Sequence, residues 1–94
     1  MDLQIELFGI ARRRIGTPML TLHFPGATCD LRDVMEQLTR RYPTLQNDAV
    51  IRDQQLITLI ACIDGESGDR FVRQLDSVIQ SGERLLLMSS DVGG

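Results

Sequence analysis

Lysine is missing from this chain: all ten basic side chains among its 94 residues are arginines. Tryptophan is absent too, histidine occurs once, and there are only two cysteines and three prolines. Cys29 and Cys62 show neither zinc-site nor redox-motif spacing, which excludes a structural zinc knuckle and a framework of disulfides. In a cytoplasmic setting both are expected to stay reduced. The longest apolar run, Leu56 to Ile63, is broken by Thr58 and falls far short of the roughly 20 residues that span a bilayer. The start of the chain alternates from Asp2 onward, without the basic region and apolar stretch of a secretory signal. Positive charge is in deficit as well, with a formal net charge of −3. That balance argues against binding a phosphate backbone. The expectation is therefore a cytoplasmic protein with no membrane and no nucleic-acid partner.

What is present fits one compact domain, because two hydrophobic cores would not fit in a chain of this length. Leu3, Ile5 and Leu7 alternate with Asp2, Gln4 and Glu6, the period of a strand with one buried face, and Phe8 then leads to Gly9. Arg12, Arg13 and Arg14 run into Ile15, Gly16, Thr17 and Pro18, which read as a solvated hairpin turn. A second strand follows from Met19 to Phe24, ended by Pro25 and Gly26. Thr28 is the expected N-cap of a helix carrying Leu31, Val34, Met35, Leu38 and Tyr42 at helical spacing. Arg40 and Arg41 suit its negative end, and Pro43 stops it.

Residues 44–55 are expected as a connecting loop, and Ile57 to Ile63 as a β-branched strand closed by a turn at Asp64, Gly65 and Gly68. Arg70 to Arg73 reads as a short edge strand, and Leu75, Val78 and Ile79 as one helical turn before Ser81 and Gly82. Arg84 to Met88 is the last strand, so apolar that a central place in the sheet suits Leu85, Leu86 and Leu87. A helix between strands is the natural crossover within one mixed sheet. The expected class is α+β: a β-grasp, ubiquitin-like fold, with a mixed sheet of four to five strands packed on one main helix. The domain occupies residues 1–88, and residues 89–94 are expected as a flexible, extended tail.

That tail reads Ser89, Ser90, Asp91, Val92, Gly93, Gly94. At full extension six residues reach about 20 Å. Two terminal glycines arise by chance in about 0.5% of chains, so the dipeptide gains its force from the strand order that precedes it. With that order, and with Leu7–Phe8–Gly9, Arg13 and Gly16, Thr28 to Leu31, Ile63–Asp64–Gly65 and Ser81–Gly82–Glu83–Arg84, the whole chain resembles the MoaD/ThiS-type sulfur carriers. The resemblance implies that a partner enzyme adenylates the Gly94 carboxylate with ATP. Sulfur then replaces the nucleotide to leave a thiocarboxylate, and the loaded tail of Val92, Gly93 and Gly94 enters an acceptor enzyme such as the large subunit of molybdopterin synthase. The carrier is then a co-substrate or small non-catalytic subunit, with no cofactor bound. One departure is that molybdopterin-type members often carry prolines before the tail, where this chain has Met88, Ser89, Ser90 and Asp91.

Glycine suits such a tail because a Cβ would obstruct a narrow passage, and because glycine tolerates backbone angles closed to other residues. The missing lysines follow most simply from genome composition. Functionally, they leave an activated acyl end no internal lysine amine to attack.

Other sites are weaker. A two-iron ferredoxin cluster needs four thiolates, and there are two. A cysteine nucleophile would need Cys29 or Cys62 beside His23 and a third orienting group. Asp30 and Asp33 are helix-start residues, with no His or Cys cluster to make them metal ligands. If Ala61 and Ile63 face the helix, Ile60 and Cys62 face outward, and with Phe8 and Met88 they are the candidate partner surface. Two rival functions stand beside sulfur carriage: a ubiquitin-like modifier conjugated through Gly94, and a plain β-grasp interaction module.

Overall fold

The computed structural model describes residues 1–43, 51–52, 55–56, 59–63 and 68–88; for 51, 52, 55, 56 and 59 only the backbone is described. The tail, including Val92, Gly93 and Gly94, lies outside the described residues, as do Ile57, Thr58, Asp64, Gly65 and most of the expected 44–55 loop. The elements are β1 (Asp2–Phe8), α1 (Ile10–Ile15), β2 (Met19–His23), β3 (Thr28–Asp30), α2 (Leu31–Arg41), β4 (Ile51–Arg52), β5 (Gln55–Leu56), β6 (Leu59–Ile63), β7 (Arg70–Phe71), β8 (Val78–Gln80) and β9 (Arg84–Met88).

Five strands form one mixed sheet in the order β2-β1-β9-β6-β7. β1 runs antiparallel to β2 and parallel to β9, and β9 pairs antiparallel with β6. The last strand thus sits at the centre, as its apolar run requires, and β7 closes one edge. Leu3, Ile5, Leu7, Leu22, Leu85 and Leu87 leave one face of this sheet for a core completed by Leu31, Val34, Met35 and Leu38 of α2. The three pieces β1, β9 and α2 come from the start, end and middle of the chain, so burial of this one core organises the whole domain.

Helix α2 begins two residues later than the sequence implies. Asp30, not Thr28, is its N-cap: Asp30 Oδ1 accepts from the Asp33 N–H at 2.8 Å, and Asp33 Oδ2 accepts from the Asp30 N–H at 3.3 Å. This reciprocal box satisfies two donors that a helix start otherwise strands. Two more, the N–H groups of Leu31 and Arg32, donate to the carbonyls of Ser77 and Leu75, tying the helix start to the approach to β8. Thr28 instead belongs to β3, which pairs with β8 with Cys29 opposite Ile79.

Two further expectations are overturned. The Arg12–Pro18 segment is not a simple hairpin turn; Ile10–Ile15 form a short helix. Ala11 is fully buried and Ile10 and Ile15 pack on the core, so burying that apolar face offsets the weak propensity of so short a helix. Gly16, at φ 87°, ends it in the left-handed region that glycine tolerates. Leu75, Val78 and Ile79 do not form a helical turn either. Val78–Gln80 are strand β8, exposed, buried, exposed in succession, and their pairing with β3 overrides the helix-like spacing.

Candidate protein-docking site

The sheet has one face on α2 and one face left open among the described residues, and strand parity assigns every residue to one of them. Since Leu3, Ile5 and Leu7 point into the core, Gln4, Glu6 and Phe8 take the open face. Register carries that assignment across the sheet. Glu6 pairs with both Met19 and Leu86, Leu86 with Ala61, and Ala61 with Phe71, so one row crosses all five strands. Phe8 pairs with Met88 in the next row.

Apart from charged Glu6 and buried Ala61, the described side chains of these two rows are apolar and accessible. Phe8, Met19 and Phe71 are 40%, 43% and 57% exposed, and Leu86 and Met88 are half-buried. Large aromatic and methionine side chains grouped on one open face are the composition of a protein interface, and they sit at the end of the sheet where β9 finishes at Met88. The opposite end is polar: Gln4, Thr21, Arg84 and the Asp2–His23 pair, with Asp2 Oδ1 2.6 Å from His23 Nδ1. Arg84 Nη1 donates to Glu6 Oε1 at 3.0 Å, so a charged pair interrupts the first row at its β1 position.

The candidate partner surface is therefore half right. Phe8 and Met88 lie on the open face. Ile60 and Cys62 do not: they pair with Leu87 and Leu85, share their face, and are 1% and 0% exposed. Ala61 and Ile63 have the outward parity assumed for their neighbours. Met19, Leu86 and Phe71 were missed because outward placement on β2, β9 and β7 depends on register, which only strand pairing supplies.

Beneath the sheet lies a buried carboxylate that spacing did not flag. Glu83 is 6% exposed. Its Oε2 accepts from Arg70 Nη1 at 2.5 Å and Cys62 Sγ at 3.0 Å; its Oε1 accepts from the Gln80 N–H at 2.6 Å and Arg70 Nη2 at 3.4 Å. Burial pushes this carboxyl upward, but the bonds from Arg70, Cys62 and Gln80 and the Arg70 charge outweigh it, and its pKa lies below the usual value. The clamp ties β6, edge strand β7 and β8 together through the turn that opens β9. Its sequence signal was Glu83 following Gly82 immediately ahead of an apolar strand.

The cysteine nucleophile does not assemble. Cys29 is buried, and desolvation, helped by Asp33 and Asp30, raises its thiol to about 11. Cys62 is spent on Glu83, and His23 pairs with Asp2. Among the described residues no group of three or more His, Cys, Asp or Glu side chains is arranged to hold a metal. Nor is any described helix long and apolar enough to cross a membrane.

A mixed sheet with parallel first and last strands, one face covered by a single main helix, defines a β-grasp, ubiquitin-like domain. Solved structures share it. SAMP1 from Haloferax volcanii superposes with a TM-score of 0.74 over 100% of both chains at 17% identity. A protein assigned as molybdopterin converting factor subunit 1 from Pyrococcus furiosus gives 0.72 at 18% identity, covering 95% of this chain and 97% of that one. The small archaeal modifier protein 1 from Methanosarcina acetivorans gives 0.63 at 21% identity, covering 99% and 96%. The resemblance to MoaD/ThiS-type carriers read from the sequence thus holds at the level of fold. The sequence matches no protein-family model and no curated protein.

Proposed function

We propose that this protein is a ubiquitin-like sulfur carrier that works through its C-terminal carboxylate. The observation that carries this reading is the juncture at Met88: β9, locked in the centre of the sheet, ends beside exposed Phe8, and Val92–Gly93–Gly94 follow within six residues. A rigid body with an apolar face and a glycine end suits a chain terminus offered to another protein. In this reading the Gly94 carboxylate attacks the α-phosphate of ATP on an adenylating enzyme of the ubiquitin-activating type, and pyrophosphate leaves. A persulfide supplied by a partner attacks the acyl carbon and expels AMP; a thiol reductant then cleaves the acyl disulfide and frees the thiocarboxylate. The chain contributes no catalytic group, and the phenyl and thioether side chains of the open face dock the enzyme.

The sulfur is destined for cofactor or metabolite biosynthesis, with a molybdopterin-synthase-type acceptor favoured by the likeness to molybdopterin converting factor subunit 1. Ubiquitin-like conjugation is the second reading, favoured by the two structures that carry the modifier name. Intact-mass measurement after incubation with the adenylating enzyme, ATP and a sulfur donor separates them. An oxygen-to-sulfur mass gain at Gly94 supports carriage, and isopeptide adducts through Gly94 support conjugation. Unaltered activity after deletion of Gly94 refutes both.

A further inference from the structure

From residue 9 to residue 29 the chain has no Asp or Glu, and its only formal charges are Arg12, Arg13 and Arg14; all thirteen acidic residues lie outside this stretch. An acidic protein thus concentrates three consecutive positive charges on one short element. That element is α1, and all three arginines are exposed on it. Buried Ala11 and half-buried Ile10 and Ile15 hold the helix on the core and turn the arginines outward. The helix is closed at both ends, by the Arg13 N–H to the Gly9 carbonyl at 3.2 Å and by the Gly16 N–H to the Arg12 carbonyl at 2.9 Å, and the Leu7 N–H to the Pro18 carbonyl at 2.8 Å closes the segment that carries it. Arg13 and Arg14 also interact within the chain, and α1 is where the positive charge of this stretch gathers into one local field.

The position of that field gives it meaning. β1 and β9 are parallel, and Phe8 pairs with Met88. Only Gly9 separates Phe8 from α1, so the arginines stand at the end of the sheet where β9 finishes, next to the apolar rows of the open face. Resting on the reading above, we propose that Arg12, Arg13 and Arg14 are an electrostatic docking element for an acidic protein surface bordering the passage that receives the chain's end on its adenylating partner. Charge complementarity at an interface rim acts on the encounter rate and on orientation. The exposed apolar side chains of Phe8, Met19 and Phe71 next to the arginines favour a protein surface over a polyphosphate ligand, which would have no use for them. Arginine also suits the place chemically, because a guanidinium stays cationic and is a poor nucleophile beside an activated acyl group.

The test measures association of the full chain with the ubiquitin-activating-type enzyme of the same organism by stopped-flow fluorescence. Wild type is compared with R12E/R13E/R14E and R12K/R13K/R14K at about 10 mM and about 1 M salt, where screening lengths are about 30 and 3 Å. The charge-reversed variant is expected to associate at least about tenfold more slowly at low salt, to converge on wild type at high salt, and to reach the wild-type ATP–pyrophosphate exchange rate at saturation. The lysine variant should match wild type. Should the triple reversal misfold, Arg12→Glu alone should give a smaller, equally salt-sensitive loss. Wild-type association by the reversed chain at low salt, or slowing that salt does not relieve, would overturn the proposal. Salt-sensitive binding of single-stranded RNA that the reversal abolishes, with enzyme association unchanged, would overturn it in favour of phosphate. Deleting Gly94 tests the underlying reading separately: it should abolish exchange while leaving the salt-dependent association intact.

Discussion

Replacing Glu83 by glutamine isolates the buried clamp. The amide keeps the shape of the side chain and one acceptor oxygen, which can still serve the Gln80 N–H. Its NH₂ then stands where Oε2 accepted from Arg70 and Cys62, so two bonds are lost and donor faces donor. A hydrogen bond to a charged group contributes about 1.5–3 kcal/mol and a neutral one about 1 kcal/mol. Arg70 is half-exposed and recovers some solvation, so a loss of about 3 kcal/mol is expected at pH 7. For a domain of this size that lowers Tm by roughly 12 to 24 °C.

The pH dependence follows from the sign of the shift. The folded pKa lies below the unfolded value of about 4.3, so the stabilisation is complete above that pH and disappears as pH falls through the folded pKa. Urea unfolding followed by circular dichroism at pH 7 and again near pH 3 should show the gap between wild type and Glu83→Gln narrowing in acid. A difference under about 0.5 kcal/mol at pH 7, the size of an ordinary surface substitution, or a gap independent of pH, would refute the reasoning.

Phe71→Ser on the open face should change stability by less than about 1 kcal/mol, because the ring is already 57% exposed, yet weaken binding of the adenylating enzyme at least about tenfold by calorimetry. Unchanged affinity would remove Phe71 from the docking surface. Both thiols should resist a thiol-reactive dye at pH 8 in the native protein and react fully in urea, since Cys29 is raised to about 11 and Cys62 is buried against Glu83. Rapid labelling of the folded chain would contradict that burial.

The main elements were legible because their periods are strong. Leu3, Ile5 and Leu7 could only be a half-buried strand, and Leu31 to Leu38 only a helix with one apolar stripe. The short elements were not, for reasons of length: six residues of α1 and three of β8 carry too little period to outweigh Gly16 and Pro18 on one side or the chance spacing of Leu75, Val78 and Ile79 on the other. The site divided along a different line. Phe8 declares its face through the alternation of its own strand, whereas Ile60 and Cys62 lie in an unbroken apolar run where parity has no contrast. Only pairing with Leu87 and Leu85 fixes it. The place of Glu83 ahead of an apolar strand hinted at it, but its role was not legible, because a buried carboxylate is identified by its donors, and Arg70 and Cys62 come from two other strands.

The central place of β9 also has a mechanical side. Five residue pairs join it to β1 and five to β6, so a pull on the chain beyond Met88, directed along the strand, strains both ladders in shear and all at once. An edge strand would resist the same pull through one ladder only. Whatever grips the end of this chain, or drags it back out of a pocket, meets a body that transmits tension as a single piece.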